Sequence, residues 1–108
     1  MADFQTKDSG VREQFAGGMV RDTQAGKPRF DLIEDGMLWR WAALMGRGAE
    51  KYGDDNWRLA QGEAELKRFK ASAFRHFMQW LRGDQDEDHA AAVFFNVAGA
   101  EWLAGRIC

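Results

Sequence analysis

With 108 residues, of which 45% are hydrophobic and 30% charged, the chain has room for one domain and the balance of a globular protein rather than a disordered one. A formal net charge of −2 supplies no overall attraction to nucleic acid or to an anionic membrane, and the single cysteine, Cys108, excludes an intramolecular disulfide, which fits a reducing, cytoplasmic setting. No apolar run approaches the roughly 20 residues needed to span a bilayer, and the opening Met1-Ala2-Asp3-Phe4 lacks the basic and apolar regions of a signal peptide.

Residues 1–27 are polar, carry Gly10, Gly17, Gly18 and Gly26, and show no sustained apolar period. They read as an irregular, partly ordered arm that closes over something. Pro28 marks a boundary, because proline drives its predecessor out of the helical region. A first helix is predicted from Gly36 to Lys51, with Leu38, Trp41, Ala42, Met45 and Ala49 on one face. Gly53 is placed to end it in a left-handed cap, and residues 54–57 read as a turn. A second helix is predicted from Glu63 to Arg82, its apolar stripe made by Leu66, Phe69, Ala73, Phe77, Trp80 and Leu81 and widened by Phe74 and Met78. Gly83 ends it, and the short link beyond predicts an antiparallel neighbour. The third helix is predicted from Asp86 to Ala104, with Asp86, Glu87 and Asp88 complementing the dipole of its first turn. Val93, Val97, Ala100 and Ala104 give its core stripe, and Gly105 closes it. The sequence offers no convincing strand. The expectation is an all-α helical bundle with an irregular N-terminal arm, forming a single domain over residues 1–108.

Some residues do not suit a plain bundle. His89 and Asn96 lie seven apart, on nearly the same side of the third helix, together with Val93, Ala100 and Leu103. A buried His and Asn must be hydrogen-bonded or coordinating something, either as a satisfied core pair or as a site. On the second helix Arg68, Ser72, Arg75, His76 and Gln79 make a polar stripe within side-chain reach. Such a stripe is ordinarily a solvated face, but His76 sits at the border of the apolar one. Glu50 lies near the C-terminus of its helix, where a carboxylate opposes the dipole and needs a compensating cation such as Lys51 or a metal. Glu50, Asp54, Asp55, Asp86, Glu87 and Asp88 all lie at helix ends that a bundle brings together, and oxygen ligands of this kind suit Mg²⁺. In the arm, Arg21, Lys27 and Arg29 among glycines suit phosphate. The P-loop, HExxH, GxSxG and CxxC motifs are absent.

The run Gly18-Met19-Val20-Arg21-Asp22-Thr23-Gln24-Ala25-Gly26-Lys27-Pro28-Arg29-Phe30-Asp31-Leu32-Ile33 resembles the opening of the phage dATP/dGTP diphosphohydrolases, a MazG-like branch of the all-α nucleoside triphosphate pyrophosphohydrolases. Three more segments carry the resemblance: Gly48-Ala49-Glu50-Lys51-Tyr52-Gly53 with Asn56-Trp57, then Ser72-Ala73-Phe74-Arg75-His76 with Trp80 and Gly83, then residues 86–96. It implies release of pyrophosphate from a purine nucleoside triphosphate. In MazZ-type members the substrate is dGTP or GTP, and the dGMP product feeds 2-aminoadenine nucleotide synthesis in phages. The resemblance further implies Mg²⁺ or Mn²⁺ held by carboxylates. It assigns Glu50, Asp86 and His89 to catalysis and Glu50 and Asp86 to the metal, with Asp54 and Asp88 as further metal candidates by proximity. Lys27, Arg29 and Arg75 fall to phosphate, and Asn56, Trp57 and Asn96 to the nucleoside, with His76 also at the substrate. Three departures stand out, one being a linker before His89 that is shorter than usual for the family. Arg47 precedes Glu50 where the wider superfamily has the first acid of an ExxE pair, and Ala92 stands where many relatives have a second His.

The expected assembly is a homo-oligomer, a dimer or tetramer, since MazG-like sites form at helix-rich interfaces and this chain is short for its aromatic content. Two other readings compete with the enzyme. One is a non-catalytic nucleotide-binding or regulatory protein on the same fold, which the missing acidic pair favours. The other is a DNA-associated protein using Lys67, Arg68, Lys70 and Arg75, which the net charge opposes; neither nucleic acid nor membrane is the expected partner.

Overall fold

The computed structural model describes residues 3–107; Cys108, the single cysteine, lies outside them. The chain divides into two compact units, one ending at Ile33 and one beginning at Glu34.

The first unit holds a small antiparallel hairpin, which corrects the expectation of no strand. Strand β1 (Arg12–Gln14) pairs with β2 (Val20–Asp22) in the register Arg12↔Asp22, Glu13↔Arg21, Gln14↔Val20. The turn is closed by Phe15 N–H to the Met19 carbonyl (2.8 Å) and by Gly18 N–H to the Phe15 carbonyl (2.9 Å). Gly18 takes a φ of +94°, open to glycine at little cost. Asp22 ties the base together, accepting from Ser9 Oγ (2.5 Å) and Arg12 Nη1 (3.0 Å). Each strand is only three residues long and almost wholly exposed, so the alternation that reveals a half-buried strand never develops. A single 3-10 turn, Phe30–Leu32, follows Pro28.

The second unit is three helices: α1 (Gly36–Tyr52), α2 (Glu63–Arg82) and α3 (His89–Ile107). Helix α3 packs against both of the others, most extensively against α2. The protein is thus a mostly helical bundle preceded by an arm. None of its described helices is long and apolar enough to cross a membrane.

The helix ends follow from local chemistry. At the start of α2, Glu65 reaches back to accept from the N–H groups of Gln61 (3.0 Å) and Gly62 (3.3 Å). Its end is a left-handed Gly83 (φ 84°, ψ 19°), with Asp84 N–H bonded to the Gln79 carbonyl at 3.1 Å. Gly53 also has a positive φ (89°), but its ψ of 159° is extended, so the expected left-handed cap is not formed there. Helix α3 begins three residues later than the acidic run suggests, because Asp88 is its cap. The Asp88 carboxylate accepts from Ala91 N–H (3.1 Å), and its carbonyl takes the first helical bond, from Ala92 N–H (3.0 Å). The helix also runs through Gly105 to Ile107 rather than stopping at the glycine; one interior glycine costs only about 1 kcal/mol.

The inward faces differ from the expected stripes. On α2 the buried and half-buried side is Leu66, Phe69, Ser72, Ala73, His76 and Gln79, whereas Phe74 (68%) and Trp80 (51%) are exposed along with Met78 and Leu81. On α1, Met37, Trp41, Leu44 and Met45 turn inward while Leu38 and Ala42 are exposed. On α3 the buried set is Ala91, Ala92, Gly99, Ala100 and Leu103 with two polar residues, and Val97 faces out. Leu66, Ala100 and Leu103 form the core cluster, with Phe69 and Trp102 against it. The reason is a close approach: a Cβ on Gly99 would stand 2.5 Å from a ring carbon of Phe69. Only a face that lays Phe69 onto that glycine lets the two helices meet so closely, and this is not the face richest in aromatics.

Candidate active site

The polar half of the α2–α3 seam is built around two histidines. His76 on α2 is 7% exposed, and His89, at the start of α3, is 2% exposed. Their Nδ1 atoms lie 2.8 Å apart. His89 Nε2 stands 2.7 Å from Asp86 Oδ1, and Arg75 Nη2 stands 3.4 Å from His76 Nε2. A guanidinium only donates and an ionised carboxylate only accepts, so the proton positions are fixed. Arg75 donates to His76 Nε2, His76 Nδ1–H donates to His89 Nδ1, and His89 Nε2–H donates to Asp86. Burial, reinforced by the Arg75 charge, pushes the His76 pKa down and favours this neutral ring. The hydrogen bond from His89 holds Asp86 below the usual carboxylate range.

Beside this chain lies a cleft of about 780 Å³ formed by the end of α1, the segment after it, α2 and α3. Its aromatic wall has Trp57 edge-on to Phe95 (6.4 Å between centroids) and to Trp102 (5.1 Å). Trp57 sits in a 3-10 helix, Asn56–Leu59, where the sequence suggested a plain turn. Asp55 enters it in a left-handed conformation (φ 59°), which aspartate tolerates better than most residues. Arg47, Lys51 and Arg68 supply positive charge to the cleft, Asp55, Glu65 and Glu87 negative charge, and Asn56, His76 and Asn96 also line it. Asn96 is buried, and its Nδ2 donates to the Ala92 carbonyl one turn back (2.8 Å). The size suits a small-molecule ligand, and the mix of aromatic, cationic and imidazole groups suits a phosphorylated one with a flat ring.

The structure therefore brings His76, Asp86 and His89 together, with Arg75 at the outer end of the chain, and gathers Asn56, Trp57 and Asn96 around the neighbouring cleft. Other expected residues lie elsewhere. Glu50 on α1 and Asp54 after it are exposed and do not line the cleft. Asp88 is held by Arg40, Nε to Oδ2 at 2.8 Å and Nη2 to Oδ1 at 2.6 Å, as well as capping α3. Lys27 and Arg29 belong to the first unit, where Lys27 lies 3.7 Å from Asp22 and Arg29 forks onto Asp31 at 2.7 and 2.9 Å. Among the described residues two groups present three potential metal donors within 4.8 Å of one another. They are His76 with Glu87 and His89, and Asp84 with Asp86 and His89. Glu50, Asp54 and Asp88 are in neither. Sequence reasoning placed Glu87 only among the helix-end carboxylates and not with the assigned ligands, since three adjacent acids look alike until the helix start separates them. It overlooked Arg47 and Lys51, one reckoned only as a departure and the other only as a partner for Glu50.

Residues 18–106 match the family model described as dATP/dGTP diphosphohydrolase, N-terminal. No curated protein and no solved structure matches the chain. The match spans most of the chain, including both histidines and every residue of the cleft, so the protein belongs to the dATP/dGTP diphosphohydrolase N-terminal family and, at that level, is a nucleotide diphosphohydrolase.

Proposed function

We propose that the protein hydrolyses a purine (deoxy)nucleoside triphosphate, dGTP or GTP foremost, to the monophosphate and pyrophosphate. A water oxygen bonds to the α-phosphorus and gives up its proton to solvent, the bridging Pα–O bond breaks, and pyrophosphate leaves with the electron pair. The dGMP so formed supplies 2-aminoadenine nucleotide synthesis in a phage, within the host cytoplasm. The observation that carries this reading is the cleft itself, in which a Trp57–Phe95 wall for a base meets Arg47, Lys51 and Arg68 for phosphates, with His76 and Glu87 at the same opening. A divalent ion, Mg²⁺ or Mn²⁺, would neutralise charge on the phosphates and lower the pKa of the attacking water. The donors gathered at His89 are those best disposed to hold it, with Glu50 retained as the carboxylate that the family pattern favours. Arg75 would bind phosphate from the rim, and Asn56 and Asn96 would orient the nucleoside.

A homo-oligomer, dimer or tetramer, is part of the same proposal. Phe74, Met78 and Leu81 leave one side of α2 apolar and exposed, a patch of the kind that marks an interaction surface. Light scattering coupled to size exclusion gives the mass directly.

The test is pyrophosphate release from each dNTP and from GTP, with Mg²⁺, Mn²⁺ or EDTA, for wild type, Glu50→Ala and Glu87→Gln. Release chiefly from dGTP, abolished by EDTA and sharply reduced in at least one variant, is expected. A non-catalytic nucleotide-binding protein is the second reading, favoured by Arg47 in place of the first acid of an ExxE pair. Tight dGTP binding without release of pyrophosphate under any metal would establish it instead.

A further inference from the structure

The two donor groups that meet at His89 are not equivalent. In the group of Asp84, Asp86 and His89, the carboxylates are already engaged: Asp84 accepts from Arg82 Nε (3.0 Å) and Nη2 (2.5 Å), and Asp86 accepts from His89 Nε2. In the group of His76, Glu87 and His89, the Glu87 carboxylate takes part in no described side-chain hydrogen bond or ion pair, and the two imidazole Nδ1 atoms face each other at 2.8 Å.

We propose that His76 Nδ1, His89 Nδ1 and the Glu87 carboxylate form a binding site for a divalent transition-metal ion in preference to magnesium. Three observations support it. First, the donor set is two imidazole nitrogens and one carboxylate oxygen. Mg²⁺ takes nearly all-oxygen shells, whereas imidazole suits the ions from Mn²⁺ to Zn²⁺. Second, Asp86 accepts a hydrogen bond from His89 Nε2–H, which keeps the proton on Nε2 and leaves the Nδ1 lone pair directed at His76. A carboxylate on the far nitrogen is the usual support of a metal-bound histidine, since it fixes tautomer and ring orientation. Third, His76 and Glu87 both line the cleft, so an ion held there faces the space assigned to the triphosphate. Three protein donors leave coordination positions open for water or phosphate oxygen, as in catalytic rather than structural sites.

Loading requires three local changes. The two Nδ1 atoms, which face each other at 2.8 Å, must swing toward a shared ion. His76 must carry its proton on Nε2 instead of Nδ1, and the Arg75 guanidinium, now 3.4 Å from Nε2, must withdraw. Arg75 is exposed and has room to do so. Asp86 is on this account a positioning residue, acting through His89.

The assignment rests on the proposed activity only for its role, so binding is tested apart from turnover. The full-length protein is titrated with Co²⁺ and followed by visible absorption, with Mn²⁺ and Mg²⁺ binding measured by calorimetry. One Co²⁺ per chain is expected, with ligand-field bands that millimolar Mg²⁺ does not remove. Losing a supporting group lowers metal affinity about 10–100-fold, so Asp86→Asn should weaken Co²⁺ about tenfold or more, and losing a direct ligand in His76→Gln, His89→Gln or Glu87→Gln should weaken it further. Asp84→Asn should bind as wild type. Glu87 is exposed, so Glu87→Gln keeps the fold even if a histidine variant does not, and circular dichroism checks each. Absence of Co²⁺, Mn²⁺ and Zn²⁺ binding by the wild type would overturn the site, as would Co²⁺ binding undiminished in both Glu87→Gln and His76→Gln. The histidines would then be a hydrogen-bonded pair and nothing more. Co²⁺ binding without pyrophosphate release would keep the site and remove the activity. Release with Mg²⁺ alone, together with no Co²⁺, Mn²⁺ or Zn²⁺ binding, would keep the activity and remove the site.

Discussion

Along one half of the α2–α3 seam, Leu66, Ala100 and Leu103 close on one another and Phe69 lies over Gly99. Along the other, the same two helices bring His76 and His89 within hydrogen-bond distance and leave a cleft beside them. The first half holds the helices together by burying apolar area, which rewards volume and tolerates little change. The second half contributes little apolar area and depends on directed bonds, each of which leaves a costly orphan if its partner goes. The difference teaches that one helix pair can separate its tasks along its length: packing sets the approach of the helices, and that approach sets the distance between the imidazoles.

The comparison can be broken most severely at Leu103, which is 1% exposed. Leu103→Ala should cost about 2–5 kcal/mol in a urea titration, in the range for buried leucines. If it costs under about 1 kcal/mol, the apolar half is not what holds the seam. Next come the histidines. His89→Leu or His76→Leu alone strands a buried polar nitrogen and should cost about 1–3 kcal/mol, whereas the double variant should cost clearly less than the sum. Additive losses would mean that the pair is not coupled. Gly99→Ala is smaller in net effect: overpacking against Phe69 costs about 1–3 kcal/mol, and better helix propensity returns up to about 1 kcal/mol. A stabilised variant would show that Phe69 yields freely and that the close approach is not tight.

The smallest effect concerns the start of α2, which carries both halves. Backbone donors at Gln61 and Gly62 hold the Glu65 carboxylate below its ordinary range. A carboxylate depressed in the folded state contributes stability that is present above its unfolded pKa, near 4.3, and is lost as pH falls through the lower folded value. Glu65→Gln should therefore melt slightly below the wild type at pH 7, and the gap should close below about pH 4. A gap that persists at pH 3 would assign the effect to something other than this charge.

Much of the helical unit could be read directly from the chain. The spans of α1 and α2 and the stop at Gly83 follow from apolar spacing, glycine placement and capping chemistry, all local properties. The hairpin could not be read, because three-residue exposed strands bear no periodic signal. Nor could the inward side of α2. Its aromatics make a louder stripe than Leu66, Phe69 and His76, and periodicity cannot tell a face that packs within the chain from one that remains exposed.

The site shows the same division. Composition and helix position were enough to single out His76, His89 and Asn96 as polar groups at or beside an apolar face, because burying such groups is costly wherever it happens. Their pairing was not determined by the sequence. His76 and His89 are thirteen residues apart, and whether their Nδ1 atoms meet depends on how deeply Phe69 settles over Gly99. Among Asp86, Glu87 and Asp88, identical in local character, tertiary structure alone distributes the roles. Asp88 is claimed by Arg40 and the helix N-terminus, Asp86 by His89, and Glu87 is left to face the cleft. The sequence by itself determined which chemistry is present and where helices start and stop, because those depend on neighbours along the chain. Only the tertiary structure decided which groups meet, because a hydrogen bond or ligand set is specified to a few tenths of an ångström, and helix packing alone sets distances that finely.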